Sequence, residues 1–414
     1  MVGLSIYVFA DTFFISYYSG ADGITVLNLV LPIYGLMFAT GSMIGIGSAT
    51  RYAIKKAEGK QGVDVYFTHA LLWQCIVSIP FILVGALAPE WLLGLMGADA
   101  QIAELGKNYL RIVLALAPCF MMNYTFSAFV RNDNAPTLAM VGSLVGSGFN
   151  IVFDYIFMFP MGLGLAGAAL ATAIAPGLTI LVCATHFFSK KCSIRIRRPR
   201  PSFRLLFSSC QLGVSAFVGE ITSAISITVF NFLLLDLVGN VGVAAYGIVA
   251  NLAWIVIAIF NGMSQGMQPL LSRCHGQRDY KNVRYLLKLG ILTALVVEAI
   301  ALLCAWGLTE PLVAIFNSEG NDLLAQYAQP ALRLYFLGFL AAGVNMVLVT
   351  FFSATDRALH ASIASLLRGA VAIVFCAILM SALWGLTGIW LSFLAAETIT
   401  LLVILLLFRR GRQN

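Results

Sequence analysis

Charge is what this chain has least of. Asp, Glu, Lys and Arg make up 10% of its 414 residues, against about 25% in an ordinary soluble domain. So little charge cannot clothe a globule that meets water on every side, and a soluble fold is excluded. The usual marks of metal and redox chemistry are missing too. His69, His186, His275 and His360 stand isolated, and eight scattered cysteines form no Cys-x-x-Cys pair. Most of those cysteines lie in apolar runs and read as small buried hydrophobes. No His-Glu-x-x-His, no paired Ser/His pattern and no phosphate loop ending in Lys-Ser/Thr occurs. An enzyme is therefore not expected, nor an organic cofactor, nor direct use of ATP. The net charge of +7 sits in short loops rather than on one amphipathic face, so no nucleic-acid partner is expected.

What the chain has in abundance is apolar sequence, 60% of its residues. Runs of about 20 residues, the length a helix needs to cross a bilayer, recur from end to end. The short alternating segments of a transmembrane barrel are absent. Candidate spans fall near 2–18, 27–50, 65–88, 107–130, 136–158, 164–188, 206–236, 243–271, 285–308, 327–352, 358–383 and 386–408. The fold class expected is all-α and polytopic, with about twelve transmembrane helices.

Orientation follows from the basic residues. With the N-terminus inside, 21 of the 25 Lys and Arg fall in cytoplasmic loops. The outer loops keep acids: Asp22, Glu90, Asp99, Glu104, Asp236, Glu310, Glu319 and Asp322. Both termini are expected to be cytoplasmic. The most basic stretch, Ser189 to Arg204, reads as a cytoplasmic linker meeting anionic lipid. It divides the chain into an N-terminal lobe (1–188), a linker (189–205) and a C-terminal lobe (206–414).

The two lobes repeat. Asp133, Ile151-Val152-Phe153 and Gly164-Leu165-Ala166-Gly167 match Asp356, Ile373-Val374-Phe375 and Gly385-Leu386-Thr387-Gly388. The spacings are 18 and 13 in one lobe and 17 and 12 in the other. Gly41 and Gly45 match Gly262 and Gly266, a repeat of 221 residues. Six helices per copy make the copies parallel, which is a transporter architecture. At the places of Asn150, Asp154 and Thr172 the second copy has Ala372, Cys376 and Phe393. Packing of this scaffold does not demand polar groups there.

A carboxylate inside an apolar span is costly and marks function by default. Asp11 lies about 12 Å from the outer end of its helix, Asp154 about 6 to 9 Å and Thr172 about 12 Å, counted at 1.5 Å per residue. Asn150 is one turn from Asp154 on the same face. Asp11, Asn150, Asp154 and Thr172 thus form a set of hard oxygens that suits Na⁺ or a proton. Glu220, near the middle of the seventh span, is the second lobe's candidate, with Arg333 or Arg368 as alternative structural partners. Glu298 and Glu397 read as helix-packing hydrogen bonders. Gly41, Gly45 and Gly47 read as points of close helix approach.

These residues resemble the multidrug and toxic compound extrusion (MATE) family over essentially the whole chain. The resemblance rests on Ala10-Asp11-Thr12, Asn150-x-x-x-Asp154, Gly164-Leu-x-Gly167-Ala with Thr172, the polar corner Arg131 to Pro136, and Gly219-Glu220. It implies two six-helix bundles, alternating access and antiport of drugs or other amphipathic organic cations against Na⁺ or H⁺ at the inner membrane. It implies that Asp11, Asn150, Asp154 and Thr172 hold the coupling cation, and that Glu220 matches an acid used in other branches. A monomer surrounded by lipid is expected. A flippase for a lipid-linked saccharide is the alternative. It would need cations for phosphate, and Arg333 and Arg368 are the candidates. Family members usually carry more residues before the first-helix Asp than the ten found here, so the start is expected to be truncated.

Overall fold

The computed structural model describes residues 2–196, 201–316 and 321–410. Among these the chain is helical, with no strand. In hydrocarbon every backbone N–H and C=O must find its partner within the segment, and a helix does this for any apolar sequence long enough. Among the described residues eight helices are long and apolar enough to span, or ten with two bent pairs counted as one span each. Two turns divide what would otherwise be continuous helices. Val2–Ala57 breaks at Gly20 (φ 58°, ψ −143°), and Ala372–Arg410 breaks at Gly385 (φ 56°, ψ −133°). Splitting Ala358–Leu406 at Gly385 and adding segment 2–19 to those ten yields twelve, the number expected from the apolar runs.

Positive φ is strained for any residue with a Cβ, so these turns select glycine. The repeat places the second in register, Gly164 (φ 54°) answering Gly385, while the counterpart of Gly20, Gly239 (φ 78°), stands two residues out of that register. The two bent pairs match as well. Ala100–Ala115 meets Ala117–Asn132 at 42°, where Pro118 lacks a backbone donor, and Asp322–Phe336 meets Phe339–Ala354 at 45° across Gly338. Spans expected at 107–130 and 327–352 are therefore bent rather than straight.

The structure moves one repeat pairing by a residue. After Ala117–Asn132 the chain turns through Asp133 (φ −96°) and Asn134 (φ 63°); after Phe339–Ala354 it turns through Thr355 (φ −106°) and Asp356 (φ 59°). Asp356 thus corresponds to Asn134, and Asp133 corresponds to Thr355. Both aspartates stand at a tight corner, and the sequence match took chemical identity for register.

The chain forms two compact units, 1–217 and 218–414. The division falls inside helix Phe203–Val238, beyond the linker end expected at 205. The first unit holds the beginning of that helix and the described ends of the basic stretch. A Cβ on Gly47 would collide with the backbone of Ser209 and Gly213. The Arg51 guanidinium donates to the Ser208 carbonyl at 2.8 Å. Ser202 N–H donates to His69 Nε2 at 3.0 Å, and Phe203 packs on Trp73 with ring centroids 4.8 Å apart. Arg197, Arg198 and Arg200 of the expected linker, with Glu319 and Arg412, lie outside the described residues.

Small residues set the packing around Gly41 and Gly45 in the first unit. Added Cβ atoms at Gly41 and Gly45 would sit 2.9 Å from Met121 Cα and 2.8 Å from Thr125 N, so these backbones nearly touch. Gln74 of helix Val65–Leu87, fully buried, ties its own helix to these two. Its amide donates to the carbonyls of Gly41 and Met121 at 3.0 Å each and its oxygen accepts from Thr125 at 2.7 Å.

Candidate functional site

The first unit's polar set is assembled by one helical hairpin and the segment before Gly20. Helix Pro136–Met158 starts on proline and carries Asn150 and Asp154 on its buried face, one turn apart. The Gly162–Gly164 turn reverses the chain, and helix Gly164–Ala184 returns with Thr172 facing them. The turn is tight: a Cβ on Gly164 would meet the Tyr18 ring, and one on Gly167 the backbone of Phe157. This close return lets a short Thr side chain reach the neighbouring helix.

Asn150 Nδ2 donates to Thr172 Oγ1 at 3.1 Å and lies 3.5 Å from Asp154 Oδ1. Asn150 and Asp154 are fully buried, and Asp11 and Thr172 nearly so. Asp11 comes from 2–19 and lies close enough to Asp154 for the two carboxylates to interact electrostatically. Both also act on the hydroxyl of buried Tyr109, which meets that of Tyr34 at 3.3 Å. Three oxygens of the set, Asp11 Oδ1, Asn150 Oδ1 and Asp154 Oδ2, are buried without a hydrogen-bond partner. Unmatched buried acceptors are rare because each has lost its water. A cation or a proton is the kind of guest that would satisfy them, and two acids, an amide oxygen and a hydroxyl fit either.

Tyr34 and Tyr109 went unmarked in the sequence. Nothing there separates them from the other twelve tyrosines, since only the fold brings Tyr109 near the acids and pairs its hydroxyl with that of Tyr34.

A second polar network lies at the corner that follows helix Ala117–Asn132. Asp133 Oδ1 accepts from Lys56 Nζ at 2.7 Å, from Tyr52 at 3.3 Å and from Ser193 Oγ. Its Oδ2 accepts the Ser193 N–H at 2.8 Å and meets His186 Nε2 at 2.8 Å. Burial alone would push the Asp133 carboxyl up, but the Lys56, Ser193 and His186 bonds outweigh it and hold the group below its ordinary range. Asp133, His186 and Cys192 come within 4.8 Å of one another, a grouping the sequence did not suggest. A metal there would have to displace Lys56 and Ser193. The network as it stands is satisfied and pins residue 193 to the first unit.

In the second unit, Glu220 lies on helix Phe203–Val238. Its expected alternative partners are engaged elsewhere. Arg368 Nε donates to Glu397 Oε1 at 2.6 Å, and Arg333 Nε donates to Thr309 Oγ1 at 3.0 Å. The places corresponding to the first-unit set are apolar and filled. Ala372 and Cys376 are buried, and Phe393 stacks on Tyr335 with centroids 4.5 Å apart.

Comparison with known proteins agrees with this architecture. The chain is 27% identical over 406 residues to the multidrug export protein MepA of Staphylococcus saprophyticus, covering 97% of this chain and 89% of that one. It is 26% identical over 412 residues to MepA of Staphylococcus aureus strain MSSA476, with the same coverage. Its fold matches an outward-facing multidrug resistance MATE family transporter of the MOP superfamily at TM-score 0.92, with 22% identity, over 99% of this chain and 93% of that one. A MOP superfamily transporter from Pyrococcus furiosus, whose binding pocket is of reversed polarity, matches at TM-score 0.90 with 22% identity over 99% and 93%. The MatE family profile matches residues 1–156 and 215–378, and with most of its length so accounted for, the chain belongs to the MatE family.

Proposed function

We propose that this protein is a cation-coupled exporter of drugs or other amphipathic organic cations, working by alternating access. The observation that carries the proposal is the buried first-unit cluster, in which three acceptor oxygens have no partner. Asp11 and Asp154 bind Na⁺ or H⁺, with Asn150 and Thr172 completing the oxygen set. Occupation lowers the cost of burying two acids side by side. The occupied and empty states therefore favour different packings of the surrounding helices, and a gradient of the ion biases the cycle. The relatives named multidrug export proteins support the substrate class. The location proposed is the inner membrane, with both termini cytoplasmic and the monomer as the working unit.

The flippase alternative is disfavoured. It needs free cationic groups for phosphate, and Arg368 and Arg333 already serve Glu397 and Thr309.

The deciding experiment is efflux of a fluorescent organic cation from vesicles under an imposed Na⁺ gradient or an imposed pH gradient. Export under one gradient that is abolished by Asp154→Asn supports the proposal. Full export in that variant removes this cluster from the mechanism.

A further inference from the structure

The second unit lacks the first unit's acids but buries two of its own. Glu298 and Glu397 are 1% and 2% exposed. They belong to one polar group and are compensated very differently.

Glu397 is fully matched. Oε1 accepts from Arg368 at 2.6 Å, and Oε2 accepts from Asn345 Nδ2 at 2.7 Å. Asn345 also donates to the Glu397 backbone carbonyl at 2.9 Å, which anchors its amide. Arg368 sits within a π-helical turn, Leu367–Val371. Such turns free a carbonyl from the helix ladder. Here the Gly369 carbonyl accepts from Ser226 Oγ at 3.1 Å.

Glu298 is not matched. Oε1 accepts the Val344 N–H at 3.1 Å, one residue before Asn345, while Oε2 is buried with no partner. Asn345 Oδ1 is likewise buried and unpartnered. Gly343 keeps room for the carboxyl, since a Cβ there would lie 2.7 Å from Glu298 Oε1 and collide with the Phe260 ring. Facing groups offer no counter-charge. Helix Asn240–Gly276 presents Phe260, and Phe339–Ala354 presents the backbone of Gly343 and Val344. The charged neighbour that acts on Glu298 is Glu397, whose charge Arg368 balances. An ionised Glu298 would be a buried charge held only by the Val344 and Gly343 N–H groups, with no counter-charge, whereas one added proton removes that charge.

We infer that Glu298 is a proton-binding site of the second unit, distinct from Glu220, which takes up and releases one proton during the export cycle. The cycle part of this inference rests on the proposed coupled export. The site itself does not. In the first unit the corresponding positions are Ser78 for Glu298, Gly146 for Arg368 and Pro176 for Glu397, so the group is not a requirement of the shared scaffold.

The test is infrared difference spectroscopy of the full chain in lipid vesicles across a pH titration. The unsubstituted protein should show the carbonyl stretch of a buried carboxylic acid, shifted by carbon-13 glutamate. Glu298→Gln should lose that band, whereas Glu220→Gln and Asp154→Asn should keep it. In Glu298→Asp the band should move out of the glutamate-labelled position. A band that ignores labelled glutamate, or survives in Glu298→Gln, overturns the inference. So does a band abolished by Na⁺ at constant pH, which would make the guest a metal cation. Should Glu298→Gln fail to fold, the loss of the band from the glutamate-labelled position in Glu298→Asp still decides. In the transport arm, Glu298→Gln should cut dye export driven by a pH gradient about tenfold without weakening dye binding. Unaltered export overturns the cycle part. If unsubstituted vesicles export no dye under either gradient, the exporter proposal fails, while the band still decides the proton site.

Discussion

After helix Ala117–Asn132 the first unit turns its corner on Asp133, and the second turns the same corner on Thr355. The backbone angles agree within about ten degrees, but the chemistry differs. Asp133 gathers Lys56, Tyr52, His186 and Ser193, whereas Thr355 returns its hydroxyl to Phe351 of its own helix at 2.8 Å. The contrast repeats deeper in. Asn150, Asp154 and Thr172 form a polar set in one unit, while Ala372, Cys376 and the Phe393–Tyr335 stack fill the same places in the other. The second unit buries its acids elsewhere, at Glu298 and Glu397. A duplicated scaffold thus keeps its turns, bends and glycines, which satisfy backbone geometry, and is free to redistribute polar side chains, which answer to function.

The sharpest way to break this comparison is to exchange the units' chemistry. Cys376→Asp puts an acid where no partner waits, and we expect a loss of about 3 kcal/mol of stability, read as a lower midpoint in heated-sample chromatography. An Asp there that leaves the midpoint unchanged would mean the second unit already offers a polar environment at that place. Asp154→Asn should reduce export on the order of a hundredfold while the protein still inserts, measured by dye efflux against membrane abundance. At the corner, Asp133→Asn should cost about 2 kcal/mol, because Lys56 and His186 lose their shared acceptor. Thr355→Val, its counterpart, should cost under about 1 kcal/mol, since one local hydrogen bond is lost. The smallest effect concerns pH. The folded Asp133 carboxyl titrates below its ordinary value of 3.8, so its contribution is complete above that value and fades as pH falls through the lower folded one. Cleavage near Ser193 by an acid-active protease should therefore rise at the acid end in the unsubstituted protein. Asp133→Asn should be cleaved about equally across the range.

Much of this was legible in the linear chain. Helix number and approximate limits follow from apolar runs, because lipid leaves the backbone few alternatives to helix. The internal repeat was legible through glycines and corner residues that both copies need. Asp154 and Asn150 stand out because an acid in a greasy helix is costly wherever the chain then goes. Bends near Leu116 and Gly338 were not foreseen, since hydropathy reports composition and not direction. The one-residue shift at the corner arose because two aspartates looked equivalent until their φ angles were known.

The sequence by itself determined the class of the protein, its family resemblance and the residue types that could hold a cation. These depend on local properties: hydrophobicity, charge and one-turn spacing along a helix. Only the tertiary structure decided which polar groups are satisfied. That Asp133 is fully bonded, that Arg368 serves Glu397, and that Asp154, Asp11 and Glu298 each keep a buried oxygen without a partner depends on contacts between residues far apart in the chain. Hydrogen bonding falls off within a few tenths of an ångström, and no pattern along the chain carries that precision.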